Sequence, residues 1–407
     1  MKALRVVVFA ALVAGWVVAA WLLAGTVVPG DLSLPHVDVD RTFGPALVSR
    51  AERFERLLLI LWALRIVVTL TTLALYARYG SRFAQESAAG PLGTGMLLGM
   101  LGLAIVWLTQ LPFTVLTLWW SRRHDVSQMG YFDAIFGDWV TLGATFVSVC
   151  VALLVVMGLA RRIGSWWWIP GAAVFTVIAG IGVFVSPWVY PGLERPDDPG
   201  LVARYERFER VEGLEGIPLR IERVSEDTSQ ANAFAFGLGP SRRVVLWDTL
   251  LDGRFSDREV DVAVAHELGH HSGDHIAKAV AWFGLFALPG ALLLMLVTRR
   301  LGGMGNPRAV PLALLFTAAW TLVTTPAQNV VSRRFEAEAD WKALQATRDP
   351  QAARGLFRKF AVTSLGDPSP PTWAYVLLDT HPTLAQRVAM ADAWAARPGA
   401  VDNVPGT

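Results

Sequence analysis

Charged residues are scarce in this chain of 407 residues. Asp, Glu, Lys and Arg together make up 17% of it, whereas about 25% is usual for soluble proteins. Hydrophobic residues make up 53%, and the net charge is only +2, which gives no basis for binding nucleic acid. The composition therefore excludes an ordinary soluble domain and predicts a membrane protein.

Cysteine is almost absent, since Cys150 is the only one in the sequence. A single cysteine excludes an internal disulfide, so cysteine usage leaves the redox compartment open. Cys150 lies inside an apolar run and is interpreted as a small buried apolar residue.

Long apolar runs, by contrast, are plentiful. A transmembrane helix needs about 20 mostly apolar residues, and seven runs qualify: 4–25, 57–77, 93–120, 140–160, 166–190, 276–298 and 309–331. The first run could also be read as a signal peptide. Because its apolar core exceeds the roughly 7–15 residues of a signal sequence, we expect it to be a retained helix.

Polar segments divide these runs into regions. Residues 1–190 are predicted to form an N-terminal membrane region with five helices, and 276–331 to form helices six and seven. Residues 191–275 and 332–396 are predicted to form the catalytic segments, and 397–407 a disordered tail. The stretches PLRIERV and RRVVLWD indicate a small β-sheet. The expected fold is mainly α: a polytopic membrane protein with about seven transmembrane helices and a zincin-like catalytic domain. Two crossings return the chain to the face that it left, so the two catalytic segments can meet.

The stretch HELGHHSGDH carries the strongest chemical signal. A capping box of Ser256 and Glu259 predicts where its helix begins. His266 and His270 are four residues apart, so they share one helix face and can both bind one Zn²⁺. Glu267 lies beside them, placed to act as the general base for a metal-activated water in peptide-bond hydrolysis.

A zincin of this type needs a third protein ligand, and SRRFEAEADWKAL follows the seventh run. We assign Glu336 as the ligand, with its carboxylate expected within about 5 Å of the histidines. Asp340 shares its helix face and is expected to orient a ligating histidine, whereas Glu338 points elsewhere. An ordinary charged helix surface is the alternative interpretation.

His271 and His275 form a further pair four residues apart, but no Glu follows His271. We expect these two histidines to be solvated or to support the ligands from behind. A subsidiary metal role stays open for them.

The combined motifs resemble the integral-membrane zinc proteases of the CAAX prenyl protease 1 type, a family of gluzincin membrane peptidases. SRRFEAEAD matches the family pattern SRxxExxAD, and QANAFAFG and THPTLAQRV are similar to two further family motifs. The resemblance implies one zinc per chain, substrate-backbone binding by Asn232 and donation to the oxyanion by His381. It also implies that Arg387 supports His381 or a substrate carboxylate.

The sequence therefore predicts a membrane-embedded zinc metalloendopeptidase. Its expected partners are the lipid bilayer and peptide or protein substrates, CAAX-like, lipidated or otherwise membrane-associated, and not nucleic acid. The residue usage is typical of a bacterial protein, which predicts a multi-pass protein of the bacterial cytoplasmic membrane. The family places its catalytic side in the cytosol, but basic residues in the short loops favour the reverse, so orientation stays open. A catalytically inactive scaffold and a metal-handling membrane protein are the alternatives.

Overall fold

A computed structural model describes residues 2–85 and 89–397 of the chain. Of the tail that the sequence predicts to be disordered, residues 398–407 lie outside the described part. The N-terminal half consists of helices, listed here in chain order: α1 (Lys2–Leu23), α2 (Val39–Phe43), α3 (Pro45–Tyr79), α4 (Gly90–Arg123), α5 (Tyr131–Ile163) and α6 (Trp168–Val189).

A small domain interrupts the series of long helices. It contains β1 (Leu193–Glu194), α7 (Pro199–Val211), β2 (Leu219–Glu222), β3 (Ala233–Phe236), β4 (Arg243–Trp247) and α8 (Asp257–Ser272). Two long helices follow, α9 (His275–Thr298) and α10 (Val310–Thr347). The chain then adds α11 (Pro350–Ser364), α12 (Thr372–Leu378) and α13 (Leu384–Ala395).

Among the described residues, six helices are long and apolar enough to cross a membrane: α3, α4, α5, α6, α9 and α10. The first predicted span, 4–25, forms α1, a helix of 22 residues. The indole of Trp16 in α1 donates a 2.7 Å hydrogen bond to the carbonyl of Leu285 in α9, which ties the two helices together. The prediction of a mainly helical, multi-pass fold with a small sheet is confirmed.

The helix that carries the seventh span continues beyond the predicted end of that span. The sequence placed its end at residue 331, whereas α10 continues without a break to Thr347. Pro326 lies inside α10 without ending it, and SRRFEAEADWKAL contains no residue that breaks a helix. Glu336 is therefore carried on the same rigid helix as the apolar span.

The sheet has the strand order β1-β2-β4-β3. β2 and β4 run parallel with Leu219 opposite Val244, and β3 is antiparallel to β4 with Ala233 opposite Leu246. The sequence predicted β2 and β4 but not the two-residue β1, which is too short to show a periodic pattern. Because β3 is an edge strand, one side of its backbone is unpaired and available to an extended peptide.

Helix α8 is buried between the sheet and α10. The predicted capping box forms at its start: the Ser256 amide donates to Glu259 Oε2 at 2.7 Å, and the Glu259 amide donates to Ser256 Oγ at 3.4 Å. Leu246, Leu268 and Leu344 pack into one core from the sheet, α8 and α10 respectively. Truncation of any one of them to alanine would lower the unfolding free energy by about 2–5 kcal/mol. This core fixes the position of α8 relative to α10.

Candidate metal centre

Two histidines of α8 and one carboxylate of α10 meet at a single point. His266, His270 and Glu336 each offer one ligand atom, and these atoms lie within 4.8 Å of one another. The two Nε2 atoms are 3.1 Å apart. The Glu336 carboxylate lies 3.2 Å from His266 Nε2 and 3.6 Å from His270 Nε2, inside the 5 Å expected from the sequence.

These spacings fit a tetrahedral metal. Ligand atoms about 2.0–2.1 Å from a tetrahedral Zn²⁺ stand about 3.3 Å from each other. Glu336 Oε2 is buried, and within the described residues it accepts no hydrogen bond. A buried carboxylate oxygen without a donor is costly unless a cation satisfies it. Two imidazoles and a carboxylate are the donor set that a catalytic zinc takes, with one position left open.

The close approach of α8 and α10 depends on Gly269, which lies between the two histidines of the motif. A methyl group at Gly269 would stand 3.3 Å from the Cα atom of Ala339 and 3.4 Å from its carbonyl oxygen. Any side chain here would push the helices apart. The glycine therefore allows Glu336 to reach the histidines across the interface.

His266 is held from behind by a buried ion pair. Its Nδ1 lies 2.9 Å from Asp340 Oδ1, and Arg387 donates to both oxygens of Asp340, at 2.6 and 2.8 Å. Burial lowers the pKa of His266, but Asp340 and Glu336 outweigh this effect and raise it to about 10. The surplus of negative charge favours a bound cation.

Arg387 lies beside Asp340, a partner that the resemblance did not imply. It is buried against Asp340, and its guanidinium lies 4.2 Å from the ring centre of Phe357. Its Nε and Nη2 donate to Asp340, and Nη2 lies 3.4 Å from His266 Nδ1. A contact with His381 or with a substrate carboxylate stays a prediction. A neighbouring carboxylate, which the motif alone did not reveal, holds the side chain there.

Glu267 lines the cleft in front of the ligands. Burial raises the pKa of its carboxyl group. No described side chain hydrogen-bonds to this carboxylate, so it is free to accept a proton in the cleft. A carboxylate whose pKa is raised towards neutrality suits general-base catalysis.

The cleft itself has a volume of about 590 Å³. Asn232 and His381 line it together with Glu267. His381 Nε2 lies 3.2 Å from Glu336 Oε2, with 55% of the histidine side chain exposed, so it can reach a molecule in the cleft. Asn232 is exposed at the start of edge strand β3. Apolar side chains of α6 and α9 complete the wall: Ala179, Val183, Ile276, Ala279, Val280 and Phe283.

The remaining histidines of the motif, His271 and His275, are buried rather than solvated, which leaves the alternative that they support the ligands from behind. His271 is 2% exposed and His275 is 3% exposed. His271 faces the sheet, where its Nε2 lies 2.9 Å from the carbonyl oxygen of Arg243. His271 is not among the residues that line the cleft, and it does not belong to the group of His266, His270 and Glu336.

His275 and Glu338 lie next to the site, and the sequence did not link them. His275 Nδ1 lies 3.0 Å from His270 Nδ1, and its Nε2 lies 3.2 Å from Glu338 Oε2. The helical spacing predicts that Glu338 and Glu336 face different directions. It could not show that the start of α9 packs on the side that Glu338 faces. The available signal was the Gly-Asp turn before His275, which permits the chain to fold back.

Comparison with known proteins identifies the domain that carries this site. Residues 207–395 match the model of peptidase family M48. The uncharacterized metalloprotease YhfN of Bacillus subtilis (strain 168) is 26% identical over 64% of this chain and 63% of its own length. A protease HtpX homolog of Acidiphilium cryptum (strain JF-5) is 28% identical over 60% of this chain and 92% of its own length.

Longer relatives extend the similarity into the membrane helices. A CAAX prenyl protease 1 homolog of Arabidopsis thaliana is 24% identical over 70% of both chains. The crystal structure of S. mikatae Ste24p superposes with a TM-score of 0.68 at 19% identity, covering 93% of this chain and 96% of that one. The two chains share one fold from the first helices to the last.

Proposed function

We propose that this chain, whose residues 207–395 match the model of peptidase family M48 and which has a multi-pass membrane fold, is a zinc-dependent endopeptidase of the membrane. The observation that carries the proposal is the convergence of His266, His270 and Glu336 at tetrahedral spacing beside Glu267. Helix α8 supplies the two histidines and the base, and α10 supplies the third ligand.

His266, His270 and Glu336 would hold one Zn²⁺ per chain. Zinc in such a site lowers the pKa of water and polarises a carbonyl group. Asp340 would keep the Nδ1 proton of His266 in place, so that Nε2 faces the metal. Arg387 would in turn fix the orientation of Asp340.

Glu267 would act as the general base. Its carboxylate accepts the proton of the water that attacks the substrate carbonyl, and later passes that proton to the leaving amine. His381 would donate a hydrogen bond to the oxyanion that forms at the carbonyl oxygen. Asn232 and the free edge of β3 would bind the substrate backbone in an extended conformation.

The cleft wall indicates the class of substrate. Its apolar side chains come from α6 and α9, both of which are candidate membrane spans. Peptides with apolar side chains, presented from the membrane, suit such a wall better than soluble acidic or basic ones. CAAX-like proteins, other lipidated proteins and membrane-associated proteins all fall within this class.

We propose further that the protein resides in a bacterial cytoplasmic membrane, as the residue usage suggests and as relatives from Bacillus and Acidiphilium support.

The inactive scaffold and the metal-handling protein receive no such support. The base and the three ligands are all present in the described site.

The test is metal analysis combined with peptide cleavage. The protein is purified in mild detergent, its zinc is quantified, and a mixed peptide library is digested with and without chelator. We expect one zinc per chain and cleavage that chelator abolishes and added zinc restores. The Glu267→Gln variant should keep its zinc and lose about 10²–10⁴-fold in rate.

Two results would contradict this proposal. One is a parent protein that contains no zinc and does not bind it. The other is equal cleavage by the parent and the Glu267→Gln variant, which would remove Glu267 from the role of base. The cleaved sequences would show directly whether apolar side chains are preferred.

A further inference from the structure

A sharp turn lies between the helix that carries the two histidine ligands and the membrane helix that follows it. α8 ends at Ser272, and α9 begins at His275. Asp274 adopts a left-handed backbone conformation with φ of 52°. This conformation is unfavourable for a residue with a side chain unless the surrounding structure requires it. The turn folds the first residue of α9 back against the end of α8.

The imidazole of His275 is clamped in place by its surroundings. The ring stacks on Phe335 with centroids 4.7 Å apart and planes 9° apart. On its other side lies Gly273, where an added methyl group would come within 2.4 Å of His275 Nε2. The side chain is only 3% exposed. A glycine is therefore required at 273 to leave room for this ring.

Both nitrogens of the clamped ring face a polar atom. Nδ1 lies 3.0 Å from Nδ1 of His270. Nε2 lies 3.2 Å from Oε2 of Glu338, which is an ion-pair contact, and neither of these two buried atoms has a hydrogen-bond partner among the described residues. The Glu338 side chain is also 3% exposed. In a buried site, an imidazole and a carboxylate in this arrangement must be matched in their donors and acceptors.

One arrangement of protons matches the contact of His270 with His275 and places an N–H group of His275 next to Glu338. His270 points Nε2 towards His266 and Glu336, so Nε2 is the atom that would bind a metal. A neutral imidazole that binds metal through Nε2 carries its proton on Nδ1 and donates it outward. His275 then accepts at Nδ1, which leaves its own proton on Nε2, facing Glu338.

We infer that His275 and Glu338 are positioning residues for His270: a buried imidazole–carboxylate pair that fixes the tautomer and orientation of the second histidine ligand. The inference rests on the proposed function, since it concerns a ligand of the proposed zinc. Each ligating histidine then has its own carboxylate, Asp340 in direct contact with His266 and Glu338 acting on His270 through His275.

The experiment measures zinc affinity rather than peptidase activity. The full-length protein is stripped of metal in detergent and titrated with Zn²⁺ against a chromophoric chelator. Co²⁺ is added separately, because its visible absorption reports ligand geometry. The variants are His275→Phe, which keeps a ring but removes both nitrogens, and His275→Gln, whose amide can accept from His270 and donate to Glu338.

We expect His275→Phe to bind zinc about 10–100-fold more weakly and His275→Gln to recover most of that loss. The matched control is His271→Phe, the same change at a buried histidine one residue beyond His270 whose ring faces the sheet. It should leave zinc affinity and the Co²⁺ spectrum unchanged. A loss confined to His275→Phe, with rescue by glutamine, supports a positioning role.

A second pair of variants serves if His275→Phe does not fold. Glu338→Met removes the acceptor at similar size and should weaken zinc binding, whereas Glu338→Gln keeps an oxygen for His275 and should stay close to the parent. Unchanged affinity in both His275→Phe and Glu338→Met, or an equal loss in His271→Phe, overturns the inference alone. A parent that binds no zinc overturns the proposed function together with it.

Discussion

His266 Nδ1 lies 2.9 Å from Asp340 Oδ1, although 74 positions separate the two residues in the sequence. This contact sets the tautomer of one proposed zinc ligand, and Asp340 is itself paired with the buried guanidinium of Arg387. Replacing Asp340 should therefore affect both the metal and the fold.

The Asp340→Asn variant should bind zinc about 10–100-fold more weakly than the parent. It should also lose about 3–5 kcal/mol of unfolding free energy, because Arg387 keeps a buried charge without its partner. Chelator competition measures the first effect and thermal unfolding in detergent the second. The control is Asp392→Asn, which breaks a more exposed pair with Arg354. Equal effects of the two variants would contradict the proposed role of Asp340.

Metal removal should destabilise the protein. Zinc at 100 times its dissociation constant adds about 2.7 kcal/mol to the unfolding free energy, because it binds only the folded site. Thermal unfolding with chelator should therefore occur at a lower temperature than with zinc. Glu336→Gln removes the charged ligand, and its unfolding temperature should not respond to zinc. A full zinc response in that variant would exclude Glu336 as a ligand.

His381 should affect turnover without affecting metal content. Its Nε2 reaches the cleft beside Glu336, so His381→Ala removes a donor for the oxyanion. We expect kcat to fall about 10²–10³-fold while bound zinc stays at the parent level. His36→Ala is a suitable control, since His36 is exposed and lies outside the cleft. Loss of zinc in His381→Ala would instead indicate a role in holding the metal.

His271 makes stability depend on pH. Burial lowers the pKa of His271 from 6.5 to about 4. Below pH 6.5 the unfolded chain takes up a proton that the folded chain refuses, so stability is lost as pH falls from 6.5 towards 4. The full loss is about 3 kcal/mol, at about 1.4 kcal/mol for each unit of pKa. Above pH 6.5 this histidine makes no pH-dependent contribution.

The His271→Gln variant tests this linkage, because an amide can still donate to the Arg243 carbonyl but does not titrate. Unfolding temperatures are measured from pH 4 to 8 in the presence of chelator, so that zinc loss does not contribute. The parent should lose stability more steeply than the variant between pH 6.5 and 4. Parallel curves over that interval would show that His271 titrates alike in both states.

The sequence was sufficient for the features that depend on local spacing. His266 and His270 share a face because a helix repeats every 3.6 residues, and Glu336 and Asp340 share one for the same reason. The even number of spans between the two segments then requires both to lie on one side of the membrane. Local spacing also predicted the capping box of Ser256 and Glu259, which the structure contains.

Other features could not be predicted from local spacing, because contacts between distant parts of the sequence determine them. Hydropathy predicted the end of the last apolar span at residue 331, but it could not show that the span and the polar helix after it form one continuous helix to Thr347. The polar stretch left open whether His271 and His275 are solvated or support the ligands from behind, and the packing of other elements buries both. The resemblance pointed to Arg387, but not to Asp340 as the group it binds.

The sequence by itself determined the chemistry: two histidines and a base on one helix, a third ligand on another, and membrane spans that allow them to meet. Only the tertiary structure decided how the ligands are held. The left-handed turn at Asp274 and the small Gly273 bring His275 beside His270, and the close packing of α8 on α10 at Gly269 brings Asp340 to His266. The physical reason is that a helix period fixes which residues share a face, whereas the partner of that face depends on elements packed from elsewhere in the chain.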